Sequence, residues 1–65
     1  MASTLMDERQ PHFCGKDDVI YRSAINAARQ AQRVLFLTAD AANARRQILA
    51  RTGGAWPIGL MVREV

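Results

Sequence analysis

A small α+β domain of helix, strand, helix and strand behind an irregular N-terminal arm is what this 65-residue chain predicts. Three observations lead there. The turn Arg51-Thr52-Gly53-Gly54 separates an alanine- and arginine-rich stretch from the run Trp56-Pro57-Ile58-Gly59-Leu60-Met61-Val62. Upstream, Val34-Leu35-Phe36-Leu37 is apolar at every position, the pattern of a short strand that wants cover on both faces. Before it, Ile20, Ala24, Ala27 or Ala28, and Ala31 recur at helical spacing.

Residues 1–16 read as the irregular arm, interrupted by Pro11 and Gly15, and residues 17–65 as a single domain. Asp17 is placed to cap a helix over Asp17–Gln32, where an acid also suits the positive end of the helix dipole. Val34–Leu37 follows as a strand. Thr38 or Asp40 then offers a cap for a helix over Ala41–Arg51, and Gly53 suits the left-handed residue that ends it. In the last strand Ile58, Leu60 and Val62 would share one face, and Gly59, Met61 and Arg63 the other.

A mainly helical alternative competes. Ile20, Ala24, Ala27, Ala31, Val34, Thr38, Ala41, Arg45 and Ile48 keep an unbroken alternation of threes and fours. No Gly or Pro marks the join between Gln32 and Val34, so a long helix or a helical hairpin, paired as an alanine-rich dimer, fits the same residues. Against it, Val34–Leu37 would expose large apolar groups around a helix.

A chain this short buries only about 60% of its extended surface. Two Phe, one Trp and one Tyr supply its aromatic bulk, which makes a homodimer or another partner an expectation. The formal charge of +3 is uneven: residues 1–21 balance to −2, whereas residues 22–51 balance to +5. Such a patch attracts phosphates or an acidic protein surface. Cys14 is the only cysteine, which excludes an intramolecular disulfide and suits a reducing compartment. The opening residues lack the apolar core of a secretory signal, and no apolar run is long enough to span a bilayer. A cytoplasmic protein without membrane contact is the expectation.

The candidate chemistry is sparse. His12, Cys14 and Asp17 offer three donor types close together, and Phe13-Cys14-Gly15-Lys16 resembles half of a zinc knuckle. The paired cysteine is missing, and a closed zinc site needs four ligands, so no metal is expected. Cys14 beside His12 has no carboxylate placed to orient the imidazole. Gly53-Gly54 and Gly15-Lys16 both lack the remainder of a phosphate loop. No cofactor and no catalytic residue are assigned.

The arginines are the recognition candidates. Arg22, Arg29 and Arg33 follow one another on one helix with Asn26 between them, and Arg45, Arg46 and Arg51 belong to the next. Guanidinium forks suit carboxylate and phosphate alike. Trp56 is a candidate anchor, since indole combines large contact area with a donor. The expected function is a non-enzymatic regulatory binding protein that uses Arg22, Arg29, Arg33, Arg45, Arg46, Arg51 and Trp56 against an acidic surface of a partner protein. Nucleic-acid binding through the phosphate backbone is the alternative. It is disfavoured because the aromatic residues do not interleave with the arginines as a stacking platform requires.

Overall fold

The computed structural model describes residues 11–30 and 33–65. The elements run β1 (His12–Cys14), α1 (Asp18–Gln30), β2 (Val34–Thr38), α2 (Ala41–Arg51) and β3 (Leu60–Glu64). The alternating helix–strand domain is thus present, and the all-helical alternative is not. The strands form one sheet in the order β1-β2-β3, parallel throughout. Parallel neighbours require crossover connections, and α1 and α2 are those crossovers.

Both helices pack on one face of the sheet. Phe13, Phe36 and Val62 stand side by side across the three strands. Val34 and Phe36 are fully buried, and with Leu60 they meet Tyr21, Ala24, Ile25 and Ala28 of α1 and Ala44 and Ile48 of α2. Tyr21 stacks on Phe36 with ring centroids 5.1 Å apart and planes 3° from parallel. Alanines on both helices let the backbones approach this aromatic pair closely, so a core with few large side chains still closes.

Among the described residues no helix lies on the opposite face, although Leu35 there is buried. His12, Leu35 and Met61 form one cross-strand row, and Cys14, Leu37 and Arg63 the next. The strict two-residue alternation of a strand divides Val34-Leu35-Phe36-Leu37 between the two faces of the sheet, with Leu35 buried and Leu37 half-buried on the second. Burial on both faces accounts for a run apolar at every position.

Several local details differ from the sequence reading. His12–Cys14, expected to be irregular, is an edge strand held by a ladder to β2. A three-residue strand offers too short an alternation to be legible before its partner is known. The buried stripe of α1 is Tyr21, Ala24, Ile25 and Ala28, rotated from the anticipated one, with Ile20 and Ala27 only half-buried. The expected Ala31 and Gln32 lie outside the described residues. Asp17 starts α1 through its backbone carbonyl, which accepts from the amides of Ile20 and Tyr21.

Asp40 caps α2 as anticipated, its Oδ1 accepting from the Asn43 amide at 3.0 Å. The Ala41 amide donates to Glu64 Oε1 at 3.1 Å, so the last strand also satisfies the first turn of α2. Gly53 takes the left-handed conformation with φ 66°. Ile58 precedes β3 and is 93% exposed, because the chain is still turning there. Leu60 N–H bonds back to the Pro57 carbonyl.

Candidate functional site

The groove between α1 and α2 gathers three of the candidate arginines. Arg22, Asn26 and Arg29 approach from one wall, Arg51 and Ala50 from the other, and Ile25 completes the lining. The hollow measures about 420 Å³. Arg22, Asn26 and Arg29 are spaced four and three residues apart, so one helical face carries all three.

Asp18 orders this wall. Its Oδ2 lies 2.8 Å from Arg22 Nε and its Oδ1 2.7 Å from Arg51 Nε. The hydrogen bond from Arg51 holds the Asp18 carboxyl below the usual carboxylate range, aided by the positive charge of Arg22 and Arg51 and opposed by desolvation. Arg51 is further fixed by Nη1, which donates to the Gln47 carbonyl at 2.9 Å and to Gln47 Oε1 at 3.0 Å. Its Cζ stands 4.9 Å from the Tyr21 ring centroid, a cation–π contact. Arg51 is therefore part of the fold as much as of the groove. Arg29 makes no hydrogen bond or ion pair among the described residues.

The remaining candidates lie elsewhere. Arg33 is exposed in the connection leading into β2, and Arg45 and Arg46 are exposed on α2 without lining the groove. Arg46 reaches only Asn43 Oδ1, at 3.5 Å. The six arginines thus do not form one surface, because consecutive residues on a helix point about 100° apart. Asp18 had a legible signal in its spacing of four from Arg22. The bond from Arg51 to Asp18 spans 33 residues and has no local signature.

Trp56 is half-buried against the core, and its Nε1–H donates to the Leu60 carbonyl at 2.9 Å. The odd-numbered residues of β3 bond to β2, as the Val34–Gly59 and Val65–Thr38 bonds show. The even-numbered ones direct their amides and carbonyls to the outer edge. Trp56 and Pro57 together occupy both backbone groups of Leu60 on that edge, shortening the strand left open to pairing with another chain.

His12 and Cys14 share the sheet face away from the helices, and Cys14 is exposed. Among the described residues, no group of three or more His, Cys, Asp or Glu side chains is arranged to hold a metal ion. No helix among them is long and apolar enough to cross a membrane. Comparison with protein-family models, with curated proteins and with solved structures finds no match to this chain.

Proposed function

We propose that this chain is a non-enzymatic regulatory binding protein that takes a carboxylate-bearing segment of a partner protein into the groove between α1 and α2. The observation that carries the reading is the convergence of Arg22, Arg29 and Arg51, with Asn26, on one hollow. Three guanidiniums against the single carboxylate of Asp18 leave a net positive groove, and Ile25 and Ala50 give it an apolar floor. Fork-shaped donors beside apolar surface suit an acidic side chain flanked by a small hydrophobic one.

The phosphate backbone of a nucleic acid is the less suited ligand. A backbone track calls for cations in sequence along a surface, and Arg33, Arg45 and Arg46 do not continue the line of the groove. Trp56 is engaged with Leu60 and offers no free stacking platform. A reducing, cytoplasmic setting accords with the lone exposed Cys14.

Affinity capture from extract, with and without nuclease, tests the proposal. The Arg22→Gln/Arg29→Glu variant should lose a nuclease-resistant protein complex that Arg45→Glu/Arg46→Glu retains, both variants keeping the native circular dichroism spectrum. A complex that survives the groove substitutions, or dissolves on nuclease treatment, overturns it.

A further inference from the structure

We infer that Asp18 is a resident stand-in for the partner's carboxylate in the α1–α2 groove, and that binding proceeds by exchange at Arg22. Such an exchange presupposes the acidic segment proposed above and specifies how the groove admits it. A segment with paired acids is the one it selects.

The donor inventory shows what the groove has left to offer. A guanidinium carries five N–H donors and grips a carboxylate best through two parallel bonds. Arg51 has given Nε to Asp18 and Nη1 to Gln47. Arg22 has Nε against Asp18, whereas Arg29 makes no hydrogen bond or ion pair among the described residues. The protein's own carboxylate thus already occupies two of the three arginines.

Those two are held unequally. Arg51 is 23% exposed, bonded twice to Gln47 and laid over Tyr21. Arg22 is 70% exposed, and its contact is an i,i+4 pair on the helix surface, a weak arrangement in water. A competing carboxylate therefore takes Arg22 and leaves Arg51 on Asp18.

Arg29 is the first point of capture. It lies two turns along α1 from Arg22, a rise of about 10.5 Å, and three residues of extended chain cover about 10 Å. Two acids three residues apart therefore reach both arginines. Once the first is held at Arg29, the second meets Arg22 at a raised effective concentration, an advantage a single acid lacks. Asp17 is exposed one residue before Asp18, and its side chain contacts no arginine among the described residues. It serves as the control for charge alone.

The test titrates the capped peptide acetyl-Glu-Leu-Ala-Glu-amide into the isotope-labelled chain and follows the arginine Nε–H signals by NMR. The Arg22 and Arg29 signals should move while that of Arg51 stays in place. The single-acid peptide acetyl-Gln-Leu-Ala-Glu-amide should move Arg29 alone. Asp18→Asn should tighten the Kd about threefold, since the peptide no longer competes with an exposed pair. Asp17→Asn should tighten it less, and in an Arg22→Gln background the two substitutions should act alike. A gain of affinity also excludes a variant that merely misfolds. Loss of binding in Arg22→Gln/Arg29→Glu, with a Kd that Asp18→Asn leaves unchanged or weakens, overturns the exchange and leaves the acidic groove intact. So does a shift of Arg51 in place of Arg22. Binding that survives Arg22→Gln/Arg29→Glu, or no binding to the native chain, overturns both.

Discussion

Arg51 Nε lies 2.7 Å from Asp18 Oδ1, joining the last turn of α2 to the first turn of α1. The same guanidinium bonds Gln47 and lies over Tyr21, which in turn stacks on Phe36. One planar cation therefore connects an exposed carboxylate to the centre of the core. Lysine cannot reproduce a fork that serves two partners and a ring at once. Arg51→Lys should lower the urea midpoint nearly as far as Arg51→Ala, while Arg45→Lys leaves it in place. Circular dichroism across a urea series measures all three.

Acid should loosen this link in a defined window. The folded Asp18 carboxyl titrates below its unfolded value, chiefly because of the Arg51 hydrogen bond. A depressed acid contributes stability in full above the unfolded value of about 3.9, and loses it as pH falls through the lower folded value. The urea midpoint of the native chain should therefore drop below about pH 4 more steeply than that of Asp18→Asn. Parallel profiles for the two proteins would contradict the assignment.

Trp56→Phe keeps most of the ring packing but removes the donor to the Leu60 carbonyl. The expected loss is about 0.5–1.5 kcal/mol, the net worth of one hydrogen bond. The freed carbonyl lengthens the unpaired β3 edge, so the variant should also aggregate at lower concentration, as light scattering would detect.

Gly15 has φ 135°, and a Cβ there would stand 3.3 Å from Ile20 Cγ1. Gly15→Ala should cost about 1–3 kcal/mol from the backbone conformation alone, with the contact added to it. Gly54 also has a positive φ, of 89°, but opens onto free space. Gly54→Ala should therefore cost less, and the difference between the two denaturation curves reports the crowding at Ile20 together with the difference in backbone conformation.

Phe36 is fully buried at the meeting of both helices and the central strand. Phe36→Ala should remove about 3–5 kcal/mol. At roughly 0.05–0.15 kcal/mol per residue, that is comparable to the whole stability of so short a chain. Differential scanning calorimetry should show no cooperative transition.

What could be read from the residues was what local periodicity and capping encode. Ala41–Arg51 ends where Gly53 turns left-handed, and Asp40 begins it, because both signals lie within a few positions of the helix. The doubly apolar Val34–Leu37 announced a central strand. The pairing of His12–Cys14 with β2 was hidden, since a parallel ladder leaves no turn to mark it. The arginines were legible as a charge excess but not as a surface. Only folding shows that Arg22, Arg29 and Arg51 converge while Arg45 and Arg46 stand apart.

Because β1, β2 and β3 run parallel, none of their ladders can zip outward from a tight hairpin. Each strand must wait for an entire helix to be traversed and laid down. Until that happens Val34 and Phe36 lack the cover of Leu60 and Val62, and the folding chain carries its stickiest segment half-dressed. A chaperone scanning unfolded chains for short greasy stretches would find its target at the strand that later becomes the middle of the sheet.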